Sequence, residues 1–264
     1  MKNYTIKCIL LGLTLGFMSC SKDSDDLENE IHDLSYTSSE SHDFTSGGNC
    51  HSMRNFKDLV VETSWISNNT GDRDTFDACE VDNESWMDKL WFAVDIKCRA
   101  GDGHRSELKE DSGDEAGLNT YKKMSFKGKL SSIPSNGVTI AQIHNRGSNV
   151  KRPWLRVYVD KDDKIKVKET ETNPTGSSSS YSTYTGPSYT EGNDMEVTIW
   201  TGLSGQTKAK ITVKTGGQTW TKNNIKPSSD WNSKSSSYYL KAGVYTEGDD
   251  KQPQMRYSKF YIYH

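Results

Sequence analysis

The sequence predicts an all-β fold, a jelly-roll β-sandwich with a concave groove, and three observations carry that reading. Apolar residues are 32% of the chain against 26% charged, and they fall in short runs alternating with polar residues, the period of a half-buried strand. Clusters such as Asp160-Lys161-Asp162-Asp163 and Thr215-Gly216-Gly217 punctuate the runs with turn chemistry. No convincing long helix appears, so the core has to be sheet on sheet.

Met1 to Cys20 reads as an export signal, with Lys2 and Lys7 at its start and an apolar run from Cys8 to Met18 that is too short to span a bilayer. Phe17-Met18-Ser19-Cys20 resembles a bacterial lipoprotein box, which implies lipidation of Cys20 and attachment to the outer membrane by that lipid alone. Cleavage at an ordinary signal-peptidase site, giving a periplasmic or secreted protein, is the alternative. The acidic stretch Ser21 to Asp26 resembles a surface-export signal of Bacteroidetes lipoproteins, although an ordinary solvated linker has the same composition.

Residues 21–48 are rich in Ser, Asp, Glu and Thr and too poor in large apolar side chains to offset the entropy of ordering, so they read as an acidic tether. A single domain is expected over residues 49–264. Cys50, Cys79 and Cys98 remain in the exported part, where one disulfide and one free thiol is the simplest outcome. Spacing does not fix the pairing; Cys50 with Cys79 is preferred because Cys98 ends a strand that should be well buried.

About ten strands are expected, over Leu90 to Cys98, Arg105 to Glu110, Lys122 to Leu130, Val138 to His144, Trp154 to Val159, Lys164 to Glu169, Met195 to Thr201, Ala209 to Thr215, Tyr238 to Tyr245 and Met255 to Tyr263. Asn173 to Asp194 reads as a long loop able to wall or cover a groove.

The stretch Tyr239 to Tyr245 organises the rest. Leu240, Ala242 and Val244 form one face; Tyr239, Lys241, Gly243 and Tyr245 form the other, which should carry two phenols and an ammonium into the open, with a glycine where a ligand could approach the backbone. Gln142-Ile143-His144 and Arg105-Ser106-Glu107-Leu108-Lys109 repeat the design, exposing Gln142 and His144 on one face and Arg105, Glu107 and Lys109 on another.

These three segments carry a family resemblance. His104 to Glu110 resembles the Arg-Ser/Thr-Glu-Leu-Arg motif of alginate lyases of polysaccharide lyase family 7, Gln142-Ile143-His144 matches its Gln-Ile/Val-His motif, and Tyr239 to Glu247 resembles its Tyr-x-Lys-Ala-Gly-x-Tyr-x-Gln motif. The resemblance spans roughly residues 50–264. Lys109 stands where the family commonly has Arg, and Glu247 replaces the final Gln. It implies catalytic roles for Arg105, Gln142, His144 and Tyr245 and substrate contacts from Glu107, Lys109, Asn145, Tyr239 and Lys241.

The residue types suit that chemistry. Cleaving a 4-linked uronate by β-elimination removes the C5 proton, which is acidic enough only when the adjacent carboxylate is neutralised. Arg105 and the Gln142 amide can do that. His144 can serve as base near neutral pH, and Tyr245 can protonate the leaving O4 or, ionised beside Arg105 and Lys241, act as base too. No metal or cofactor is called for.

The expected partner is an anionic polysaccharide, alginate first and glucuronan or a glycosaminoglycan as alternatives, with the protein a monomer. Removing the acidic lead leaves 30 basic and 28 acidic residues over 46–264, too even a balance for nucleic acid. A non-catalytic carbohydrate-binding lipoprotein is the third reading. Glu80-Val81-Asp82-Asn83-Glu84 imitates the carboxylate alternation of some jelly-roll glycoside hydrolases, but it lacks apolar partners and reads as a surface turn.

Overall fold

The computed structural model describes residues 50–264 except 52, 54, 55, 68, 148, 149, 177, 235, 236 and 249. The proposed signal, Cys20 and the tether lie outside the described residues.

Two antiparallel sheets pack face to face. In chain order the strands are β1 (Leu59–Thr63), β2 (Asp74–Asp77), β3 (Met87–Leu90), β4 (Ala93–Lys97), β5 (Arg105–Glu110), β6 (Lys122–Ser131), β7 (Gly137–Asn145) and β8 (Leu155–Asp160). They continue as β9 (Lys164–Thr170), β10 (Tyr181–Ser188), β11 (Asp194–Thr201), β12 (Ala209–Thr215), β13 (Gln218–Ile225), β14 (Tyr238–Thr246) and β15 (Gln254–Tyr263). The first sheet runs β10-β9-β8-β7-β14-β5-β1-β2 and the second β13-β12-β11-β6-β15-β4-β3. The outer strands of each sheet follow one another in chain order, while the central ones, β7-β14-β5 and β11-β6-β15-β4, pair across long stretches of sequence, as a jelly roll requires.

The core is the product of period-two alternation on both sheets. Leu108, Ile143, Leu240, Ala242 and Val244 from the first sheet face Met124, Phe126, Val197, Ile211, Tyr257 and Phe260 from the second, all essentially without solvent contact. Each such aliphatic or aromatic side chain contributes about 1.5–3 kcal/mol of burial free energy. Trp154 and Trp231 flank Tyr238 at one end, with ring centroids 6.1 and 6.2 Å away, and the Trp231 indole donates to the Thr170 carbonyl at 2.7 Å.

Alternation breaks usefully in β7. Its register shifts between Thr139 and Ala141 against β8, and at the same height against β14. Ile140 and Ala141 are both fully buried, so the bulge places two consecutive residues toward the core and restores Thr139 and Gln142 to the outer face.

Several expectations change. Leu90 to Cys98 is not one strand: Trp91 and Phe92 form the exposed tip of a hairpin between β3 and β4. The long loop expected over Asn173 to Asp194 contains β10, an edge strand whose alternating Tyr and Thr residues pair with β9. Strands β1, β2 and β13 were not anticipated. Cys50 and Cys79 form the disulfide, and Cys98 is a buried free thiol whose burial pushes its pKa well up. Glu80, Asp82 and Glu84 are exposed in a turn.

Candidate active site

β14 lies between β5 and β7, so the three motif segments become adjacent strands. Their registers set Tyr239 opposite His144, Lys241 between Gln142 and Lys109, Gly243 opposite Glu107, and Tyr245 between Thr139 and Arg105. Residues directly opposite in an antiparallel pair share a face, so all the residues singled out on these strands except Asn145 stand on the side of the first sheet away from the core.

That face is less open than the sequence suggests. Lys241 is 1% exposed and Glu107 fully buried. The reason is ionic: Glu107 takes Lys241 Nζ at 2.9 Å and the Gln142 amide at 2.7 Å, while Glu62 of β1 takes Lys109 Nζ at 2.7 Å and stands 3.8 Å from Lys241. Two carboxylates draw two ammoniums down onto the sheet, which offsets the cost of removing all four from water. Burial alone would push Glu62 up, but Lys109, Lys241, Arg73 and Arg105 outweigh it and hold its carboxyl well below the usual range.

Gly243 is not an opening for a ligand. A Cβ there would fall 2.1 Å from the Ser106 carbonyl oxygen, so the glycine marks where the β5 backbone presses closest to β14.

At one end of the face the Arg105 guanidinium lies over the Tyr245 ring, 4.3 Å from its centroid, in cation–π geometry. Arg105 is buried and Tyr245 half-buried. Ser64 Oγ accepts the Arg105 backbone N–H at 3.0 Å and also meets His104 Nδ1 at 3.0 Å, fixing the start of β5.

At the other end His144 lies 5.6 Å from Tyr239, ring to ring, and Arg146 covers that tyrosine at 4.5 Å. His144 Nδ1 lies within hydrogen-bond distance of both the Asn145 backbone N–H, at 2.8 Å, and the Asn145 carbonyl, at 3.1 Å, so the backbone at the end of β7 holds the ring. Asn145 turns its amide oxygen to the Gly147 N–H at 2.7 Å and so shapes the chain leaving β7. His144 and Tyr245 are thus not neighbours: the register separates them by six residues of β14, about 20 Å of strand.

Sequence reading missed the cations on β8 and β9. Arg156 stands opposite Gln142 and Lys168 opposite Arg156, so Lys168, Arg156, Gln142, Lys241 and Lys109 form one continuous rung across five strands. A parallel rung holds Lys166, Tyr158, Thr139, Tyr245 and Arg105. The signal was present as alternation within Arg156 to Tyr158 and Lys164 to Lys168. Glu247 accepts from Arg156 Nη1 at 3.1 Å and from the Thr139 hydroxyl at 2.6 Å, tying the two rungs together.

Comparisons with known proteins agree with this architecture. The alginate lyase AlyC3 superposes with a TM-score of 0.60 at 15% identity, over 79% of this chain and 90% of that one. The alginate lyase A1-II', a member of polysaccharide lyase family 7, gives 0.58 at 17% identity over 80% and 96%. An alginate lyase of Pseudomonas aeruginosa gives 0.58 at 15% identity over 80% and 100%. At these identities the likeness speaks for the fold. No curated protein matches the sequence. The family model described as alginate lyase matches residues 61–264, which include every strand of the groove face except the first two residues of β1. The chain belongs to the alginate lyase family.

Proposed function

We infer that the protein cleaves a 4-linked uronate polymer, alginate first, by β-elimination without a metal, with Tyr245 as the residue that moves protons. The observation that carries this is the stack of Arg105 on the half-buried Tyr245 at one end of a cation-lined face. Solved structures of similar fold include complexes of alginate lyases with dimannuronate and with the substrate GGMG, which supports an oligouronate as the ligand class.

The steps follow from the groups present. A uronate carboxylate placed beside Arg105 is neutralised by a charge-assisted hydrogen bond, which lowers the cost of carbanion character at C5. The Tyr245 oxygen takes the C5 proton, the electron pair forms the C4–C5 double bond, and the C4–O4 bond breaks. The same phenol returns a proton to O4. His144 hydrogen-bonds substrate hydroxyl or carboxylate groups farther along the face, with Tyr239 beside it.

One group acting as both base and acid requires the C5 hydrogen and O4 to lie on the same side of the sugar. That is the configuration of β-mannuronate and β-glucuronate, whereas α-guluronate presents them on opposite sides. Mannuronate-rich blocks are therefore the expected best substrate. Ultraviolet absorbance of the new double bond, followed on mannuronate blocks, guluronate blocks, glucuronan, hyaluronan and chondroitin, tests this; exclusive cleavage of guluronate blocks would overturn the single-residue mechanism.

We also place the enzyme on the outer membrane through a lipid on Cys20, a reading supported by the apolar run ending in Ser19-Cys20 and the acidic stretch after it. Undiminished membrane partitioning of Cys20→Ala would remove it.

A further inference from the structure

The second sheet turns its outer face away from the groove, and that face is chemically unusual. Trp200 on β11 stands opposite Lys123 of β6 and Lys210 of β12. Lys210 Nζ lies 5.0 Å and Lys123 Nζ 5.6 Å from the Trp200 ring. Lys123 is also 5.6 Å from the ring of Tyr261 on β15, and Lys259 is 5.3 Å from it. β6 separates β11 from β15, and Tyr261 stands opposite Ser125, two residues along β6 from Lys123, so the two positions are about 12 Å apart. Tyr263 and Tyr121, both exposed, extend the row as an edge-to-face pair at 6.3 Å.

The floor beside these rings is made of hydroxyls. Ser125 and Thr198 hydrogen-bond at 3.0 Å, and Thr212 and Thr221 at 2.9 Å, across neighbouring strands. Next to that row lie Lys214, Lys127 and Lys259, with Glu196 as the acidic member. Beyond Tyr261 the face runs into a cleft of about 410 Å³ lined by His51, Phe92, Ser258 and Lys259.

We propose that this outer face is a second, non-catalytic binding surface for acidic polysaccharide, on which Trp200 and Tyr261 stack against sugar rings while Lys123, Lys210 and Lys259 pair with carboxylates. The choice of a polyuronate as occupant rests on the function proposed above; the rings, the hydroxyl floor and the excess of ammonium groups do not. A lipid surface would call for aliphatic side chains penetrating from this face, and the rungs between Trp200 and Tyr261 carry threonine, serine and lysine instead. Two sites for one polymer on opposite faces raise residence on a gel by effective concentration, with no change in the chemistry at the groove.

Retention on calcium-alginate beads tests the proposal, using Tyr245→Phe as the parent so that the gel is not digested. Trp200→Ala/Tyr261→Ala in that parent should be retained several-fold less, while the same pair in the active enzyme leaves turnover on a short soluble alginate oligosaccharide unchanged. Lys123→Glu/Lys210→Glu keeps both rings and should reproduce the loss if the aromatic pair misfolds. Retention equal to the parent in both variants overturns the proposal, as does loss of binding to anionic phospholipid vesicles with gel retention untouched. If none of the polyuronates is cleaved yet retention depends on Trp200 and Lys123, the lyase reading fails and this surface stands; cleavage with insensitive retention gives the reverse.

Discussion

Arg105 and Tyr245, 140 residues apart in sequence, meet with the guanidinium 4.3 Å from the ring centroid because β5 and β14 pair without a register break over their shared length. The contact needs the ring and not the hydroxyl, so Tyr245→Phe separates chemistry from packing. Elimination should fall by about a hundredfold to ten-thousandfold, with the thermal midpoint and the affinity for polymer near those of the parent. Turnover within a few-fold of the parent on its best substrate would end the mechanism given above.

Glu62 neutralises two lysines from the neighbouring strand, on the same face of the sheet. Glu62→Gln leaves Lys109 and Lys241 buried with less compensation, and should cost about 3–5 kcal/mol of stability, read by denaturant unfolding. Because the Glu62 carboxyl titrates well below its ordinary value in the folded chain, its contribution is fully present above the unfolded value of about 4.3 and fades as pH drops through the lower folded value. The parent should therefore lose stability in acid more steeply than the variant; parallel acid profiles would contradict the assignment.

Gly243→Ala is expected to be more damaging than its size suggests. The added methyl meets the Ser106 carbonyl at 2.1 Å, so β14 and β5 have to part, at about 1–3 kcal/mol or more. Arg105 and Tyr245 move with their strands, and kcat should fall together with the thermal midpoint. A variant as active and as stable as the parent would show that the two backbones are not this close.

Glu247→Gln removes a negative charge from a face built for a polyanion. The Arg156–Glu247 pair is only partly buried, so stability should change by less than about 1 kcal/mol. With that carboxylate neutralised, the face carries more uncompensated positive charge at Arg156, and KM should fall at low ionic strength and converge with the parent as salt rises. An unchanged KM at low salt would mean that Arg156 does not contact the polymer.

The legible part of this protein was whatever period two could express. Leu240, Ala242 and Val244 went inward as their alternation required, and the motif residues came together because each sat on a strand with a clear apolar face. The burial of Lys241 and Lys109 was not legible, because the carboxylate that draws them down, Glu62, sits on a five-residue strand that shows little alternation. The distance between His144 and Tyr245 was hidden for a different reason. Motifs give the order of residues along each strand, while inter-strand register, set by turns and by the bulge in β7, decides which ends meet.

That bulge in β7 lets the strand carry one residue more than its two faces need. With Ile140 in place, Thr139 faces out toward Glu247 while Val138 is sealed in the core. Straightening the strand with that residue still in it would turn the first part of β7 by half a period, carrying valine into the solvent and threonine into the interior and cutting Glu247 loose from the strand, whereas deleting it would leave Ala141 inward between Thr139 and Gln142, which is plain alternation. The groove can thus lose a residue here and keep both rows of side chains, and only a change that flattens the bulge without shortening the strand would exchange them.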